Sequence, residues 1–387
     1  MRQLRVDPPV QLLWRVPGRP DHEALRTLHT SLAEGPLNRR MRTARLPLAR
    51  PVWEGHTGCA PLRVSSRAVA PETVLDWADA ACRAELDAHA GRGWELSAAP
   101  VSDGTFVVSL VGSHALTDGQ GLIGAATLAA RRTARQWHSG QPSLVDDLTD
   151  VVTDGLWTYS RLALSRLRVK AASVPATAAR VLLGRTEQGG GAAPVRSRLA
   201  FTVPAAEADR VARNGGGSVT GLMLAMTANI LRAARGTTDA GRPFTVGLPV
   251  SFRRPDDLES SNMVGIATLR LDGLRGRYTD LVEIRRLSKA VYAEAAGRHL
   301  TGYPQTDAAL SNAGEMLPEA RDVFGPALGV LFRTVSGAGA PPGRMNCFVL
   351  RAGATVSVGF QSAGVAVGPG LVEAELDAWG ITPAHAW

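Results

Sequence analysis

The sequence predicts an α/β protein of two lobes, each a mixed β-sheet with helices packed against it. Three observations carry this. The chain has 387 residues, too many for one ordinary core and suited to two lobes of roughly 150 to 200 residues each. Strand-like and helix-like segments are mixed in both halves. Between the halves the texture changes, and "EQGGGAAPVRS" (Glu187 to Ser197) is Gly-rich, polar and aperiodic, as a linker is. The expected division is residues 1–167, a linker or crossover over 168–197, and 198–387.

The elements follow in order. "DHEALRTLHTSLAE" (21–34) has apolar positions at helical spacing, with Asp21 as N-cap. "GPLNRRMRTARLPLARPVWE" is broken by Pro36, Pro47 and Pro51 and reads as loop and short strand. A helix is expected over 71–89, with Pro at its start, acids in its first turn, and Val74, Leu75, Ala78 and Cys82 on one face. An apolar, β-branched strand over about 105–113 runs into a helix over 119–137, which Asp118 is placed to cap. In the second half come the strand "RLAFTV", a helix from Pro204 that stops at "NGGG", and a long helix capped by Ser218 or Thr220. The strands "FTVGLPVSF" and "MVGIATLRL" flank the charged loop "RRPDDLESSN". A helix over 279–297 follows, and the last sixty residues alternate like strands around Gly turns.

Composition excludes more than it identifies. Net charge is +8, which first suggests an anionic partner. Only two of the 43 basic residues are lysines, Lys170 and Lys289. The arginines are spread along a chain with only 5% aromatics, unlike the basic, aromatic-interleaved cluster of a nucleic-acid binder. Cys59, Cys82 and Cys347 are far apart and odd in number, without metal-ligand spacing. A reducing, cytoplasmic setting is the expectation, since the N-terminal stretch has no apolar targeting region. The longest apolar helix candidate, "VTGLMLAMTANILRAA", is too short to span a bilayer and reads as a core helix. There is no HExxH, GxSxG, Walker loop or strand-linked GxGxxG. No metal and no bound cofactor is therefore expected.

One stretch carries chemistry: "VVSLVGSHALTDGQGL", residues 107–122. His114 ends a strand that would be buried, so its imidazole sits at the rim of a core. A neutral imidazole there is able to accept a proton. Asp118 is spaced to orient the ring, cap the next helix or pair with a distant Arg. Gly119 and Gly121 remove bulk where backbone or ligand approaches closely. Taken alone, the same residues fit a core histidine followed by an ordinary Asp-Gly turn.

"HALTDG", His114 to Gly119, resembles the HxxxDG signature of the chloramphenicol-acetyltransferase-like superfamily. That superfamily includes condensation domains of peptide synthetases, polyketide-associated acyltransferases, wax ester synthases and plant acyltransferases. "GLPVSFRRPDDLESSNMVGIATLRL" (247–271) is similar to the strand-Arg-loop-N-x-x-G-strand segment of condensation domains and wax ester synthases. "LNRRMRTARLPLARPVWE" is like the first lobe of the wax-ester-synthase branch. The resemblance implies two chloramphenicol-acetyltransferase-like lobes with an active-site channel between them. It implies acyl transfer from a coenzyme A or phosphopantetheinyl carrier-protein thioester to a small-molecule hydroxyl or amine. His114 would be the general base, Asp118 and Gly119 structural at the site, and Arg253, rather than Arg254, the partner of Asp118. Asn262 and Gly265 would shape the crossing between lobes, and Ser113, Asn262 and Ser336 would contact the substrate channel. Ser113 stands where wax ester synthases carry a second histidine, which favours the condensation-like branch. The DFGWG motif of the plant enzymes is absent. A non-acylating or non-catalytic role on a carrier-bound intermediate is the alternative the same resemblance allows.

Overall fold

The computed structural model describes residues 9–46, 49, 51–82, 86–134, 144–152, 196–236, 243–254, 257, 262–271, 277–296, 304–334 and 343–387. The first half builds strand β1 (Val10–Pro17), helix α1 (His22–Ala33), β2 (Arg39–Arg42), β3 (Val52–Gly55), β4 (Arg63–Val64), α2 (Val74–Cys82), β5 (Trp94–Pro100), β6 (Thr105–Gly112), α3 (Gly119–Ala130) and α4 (Leu144–Asp150). Asp21 caps α1 by accepting from the Glu23 and Ala24 N–H groups. α2 starts after a 3₁₀ turn over Pro71–Thr73, and residues 86–89, which the sequence pattern includes in the helix, lie outside it. α3 likewise stops well before 137, as the chain passes through Arg132 at φ 54°.

The second half builds β7 (Arg196–Pro204), α5 (Ala205–Asn214), α6 (Val219–Arg235), β8 (Phe244–Ser251), β9 (Val264–Leu271), α7 (Leu281–Ala295), β10 (Ala308–Glu315), α8 (Pro318–Arg321), β11 (Gly329–Thr334), β12 (Arg344–Ala352), β13 (Thr355–Ala363), α9 (Pro369–Trp379) and β14 (His385–Ala386). Of the two cap candidates for α6, Ser218 takes the position and accepts from the Gly221 N–H. Strands β1, β5 and β10 carry no assignment in the sequence reading, and α9 is a helix within the last sixty residues, which were expected to alternate like strands.

Two mixed sheets result. The first has the order β11-β1-β6-β5-β4 and the second β14-β7-β13-β12-β10-β8-β9. Leu12, Trp14, Leu96 and Leu110 of the first sheet pack with Leu25 and Leu28 of α1 and Leu122 of α3. The opposite face, with Leu13 and Val107, meets Val74 and Ala78 of α2 and the C-terminal Trp387. In the second lobe the fully buried α6 residues Leu222 to Met226 lie against Val246, Leu310, Val349 and Val358. Each large apolar side chain buried this way contributes about 1.5–3 kcal/mol.

One strand leaves its half of the sequence. The sequence division groups Gly329–Thr334 with the second lobe, yet β11 pairs antiparallel with β1, from Val10↔Thr334 to Arg15↔Gly329. The residues leading to it follow, for Ala313, Met316, Ala320 and Phe324 all join the first core. Pairing covers a β1 edge that would otherwise leave backbone donors and acceptors free. Alternating hydrophobicity places a strand against some sheet without naming which. The expected linker lies outside the described residues except at its end, where Arg196 and Ser197 already belong to β7.

Candidate active site at the seam of the lobes

The site starts where β6 stops. Gly112 still pairs with Val10 and with Trp94. Ser113 then donates its N–H to Gly93 O at 2.8 Å, and its carbonyl accepts from Leu116 N at 2.9 Å and Thr117 N at 3.0 Å. This tight turn lifts His114 out of the sheet to a half-buried position. The buried Arg39 of β2, whose guanidinium lies over the Trp53 ring, donates to Leu116 O at 3.3 Å and steadies the turn from beneath. Nothing in the run "LNRRMR" distinguishes the buried Arg39 from the exposed Arg40 beside it, so sequence reasoning missed it.

Asp118 is buried and caps α3, accepting from Gly121 N at 2.7 Å. Its carboxylate also reaches the second lobe. Arg253 Nη2 donates to Oδ1 at 3.2 Å and Oδ2 at 3.1 Å, and the Met263 N–H donates to Oδ2 at 2.8 Å. Both side chains are almost fully enclosed, 4% exposed for Asp118 and 5% for Arg253. Arg254 is exposed. Beside this clamp, Ser251 Oγ donates to Gln120 Oε1 at 2.9 Å.

The glycines have a steric reason. A Cβ on Gly119 would stand 2.5 Å from Cζ of Phe332, on the crossing strand β11. A Cβ on Gly121 would clash with Thr117 Oγ1 and stand 2.9 Å from Arg253 Nη2, crowding the Asp118–Arg253 pair. Gly265 lies in β9, opposite Val250 of β8.

Asn262, two residues before β9, reaches across to His114. Its Nδ2 lies 2.9 Å from His114 Nδ1 and 3.1 Å from His114 O. The structure thus brings His114, Asp118, Gly119, Arg253 and Asn262 together, with Ser113 in the turn itself. Ser336 lies outside the described residues. Asp118 bonds to backbone and Arg253, so the group on the imidazole is Asn262.

A second polar tie joins the lobes on the far face of the first sheet. Asp79 of α2 pairs with Arg198 of β7 and, at 2.7 Å, with Arg333 of β11. Burial lowers the Arg333 guanidinium below its ordinary value. The two buried thiols are poor nucleophiles: burial pushes both Cys82 and Cys347 up to about 12. Among the described residues no group of three or more His, Cys, Asp or Glu side chains could hold a metal ion. No described helix is long and apolar enough to cross a membrane.

No family model matches the chain, and no curated protein matches it in sequence. Solved structures do match in fold. The first condensation domain of the CDA synthetase aligns at a TM-score of 0.59 and 18% identity, over 98% of this chain and 91% of that one. The condensation domain of the monacolin K polyketide synthase MokA gives 0.55 at 14% identity, over 96% and 90%. A variant of the starter condensation domain of the rhizomide synthetase RzmA gives 0.55 at 13%, over 96% and 88%. The chain therefore has the two-lobed α/β fold of these condensation domains.

Proposed function

We propose that this chain is a condensation-like acyltransferase in natural-product or lipid biosynthesis. It moves an acyl group from a coenzyme A or carrier-protein thioester to a hydroxyl or amine acceptor and forms an ester or an amide. The observation that carries the reading is the placement of His114. It stands at the end of β6, where the lobes meet, with a second-lobe side chain on its ring and the Asp118–Arg253 clamp four residues away.

The transfer is direct. Donor and acceptor bind together, so proximity and orientation supply much of the acceleration. A covalent acyl-enzyme is not part of the reading, because no activated Ser or Cys sits beside a base in the sequence, and burial raises the Cys82 and Cys347 thiols. His114 is the group at the reacting centre, either as base toward the acceptor or as hydrogen-bond donor toward the thioester carbonyl. Asp118 and Arg253 fix the seam that places it. Backbone N–H groups of the His114 turn are candidates for holding the developing oxyanion. The solved neighbours support the reading through what they are: condensation domains of peptide and polyketide synthetases, one captured with a substrate analogue.

The test is an assay for acylated product with thioester donors and with alcohol and amine acceptors. Product should require both substrates and should fall sharply in His114→Ala. A chain whose biological role survives that substitution unchanged is a docking protein, and the acyl-transfer reading then fails.

A further inference from the structure

We infer that Asn262 is a positioning residue that sets the tautomer of His114, so that the ring meets substrate with its hydrogen on Nε2. The consequence for catalysis rests on the acyl-transfer reading; the hydrogen-bond pattern does not.

The Asn262 amide nitrogen is shared between two atoms of one residue, His114 O at 3.1 Å and His114 Nδ1 at 2.9 Å. A primary amide has two hydrogens on nitrogen and none on oxygen. A main-chain carbonyl oxygen only accepts, so the nitrogen end must face it. Turned over, the amide would set Oδ1 against the carbonyl oxygen, two acceptors at hydrogen-bonding distance. With the nitrogen inward, its second hydrogen points to Nδ1, which must accept. A neutral imidazole whose Nδ1 accepts carries its hydrogen on Nε2. The Asn262 Oδ1 atom is buried and has no hydrogen-bond partner among the described residues, so no bond there favours the reverse orientation. The neighbouring residue anchors this geometry, because the Met263 N–H is bonded to Asp118 at 2.8 Å.

The orientation decides what His114 offers. A general base needs a free ring lone pair. Here the lone pair of the neutral ring lies under Asn262, and Nε2 presents an N–H. Such a ring is suited to donate to the thioester carbonyl oxygen as negative charge develops on it. In that step the acceptor's nitrogen or oxygen bonds to the carbonyl carbon and the carbon–sulfur bond breaks. The acceptor's proton passes to the departing sulfur, which leaves as the thiol. His114 gains and loses nothing.

Two measurements test this. In the full chain labelled with ¹⁵N-histidine, at a pH where the ring is neutral, His114 should show a protonated Nε2 and a bare Nδ1. Asn262→Asp, whose carboxylate accepts from Nδ1–H, should move the hydrogen to Nδ1. Asn262→Ala should remove the preference. Melting curves check that each variant is folded. A wild-type ring protonated on Nδ1, or one spectrum shared by all three proteins, overturns the role of Asn262. The second measurement compares His114→Gln, which keeps an N–H donor and no base, with His114→Ala. The donor role expects the Gln variant to retain at least about tenfold more transfer, and equal loss in both overturns it. Absence of transfer by the wild-type chain would overturn the acyl-transfer reading alone, because the ring spectra need no substrate.

Discussion

A single guanidinium nitrogen of Arg253 bonds to both oxygens of Asp118, at 3.2 and 3.1 Å, across the boundary between the lobes. The carboxylate also accepts from Gly121 N and Met263 N. It therefore caps a helix of one lobe, pairs with a loop of the other and receives the first residues of the returning chain. Removing Arg253 leaves the Asp118 carboxylate buried without its counter-charge, which costs about 3–5 kcal/mol; removing Asp118 leaves the buried guanidinium with Asp257, at the longer distance of 3.9 Å. Asp118→Ala is expected to lower the melting temperature clearly and to damage transfer through loss of fold. An unchanged melting curve with lost activity would instead assign Asp118 to the chemistry.

His114 gives the opposite expectation. It is half-buried in a turn that backbone bonds already hold. His114→Ala should keep the wild-type melting temperature and lower transfer by roughly two to four orders of magnitude, the range for losing a proton-transfer or oxyanion group. Turnover close to wild type with a verified donor and acceptor would remove the residue from the mechanism.

Asp307 predicts a pH dependence of stability away from the site. Burial alone would raise its carboxyl. The Thr245 N–H and hydroxyl, at 2.9 and 2.7 Å, and Arg235 Nη1, at 3.0 Å, outweigh burial and hold it below its ordinary value. A lowered folded-state value means that folding favours the ionised form. The stability it supplies is complete above the ordinary carboxylate value of about 3.9 and is lost as pH falls through the lowered one. Asp307→Asn should cost about 1–3 kcal/mol at neutral pH, by loss of bonds to a charged group. Urea unfolding should show that difference shrinking in strong acid. A difference independent of pH would mean that the charge does not matter there.

The donor is open to a kinetic test. A carrier protein spreads charge over many contacts with an Arg-rich surface, whereas coenzyme A offers a few phosphates. Transfer from a carrier-protein thioester should therefore fall more steeply with salt than transfer of the same acyl group from coenzyme A. Rates at two ionic strengths decide between them, and equal rates with equal salt dependence would sink the carrier-protein preference. Activity should persist in EDTA without added nucleotide. A requirement for ATP with a free acid would sink the thioester reading.

Much of the site was legible locally because the forces that make it are local. A β-branched run predicts a buried strand, and Asp-Gly after it predicts a turn and a helix cap. Those two facts put His114 at the end of β6 and Asp118 on the Gly121 N–H. The Asp21 cap of α1 was legible for the same reason, and the α6 cap to within two candidates, Ser218 and Thr220, since a cap bonds to residues two or three positions away. What touches His114 was not legible. The resemblance pairs Asp118 with Arg253, as found, but nothing in it set Asn262, 148 positions distant, on the imidazole. Likewise "GVLFRT" reads as a strand in any sheet, and its place beside β1 depends on an edge that exists only once the first sheet has formed. Periodicity and capping are written within a few residues and were determined by the sequence alone. Which lobe covers an edge, and which side chain meets a ring nitrogen, depends on burial and hydrogen-bond satisfaction across the whole chain, and only the tertiary structure decided it.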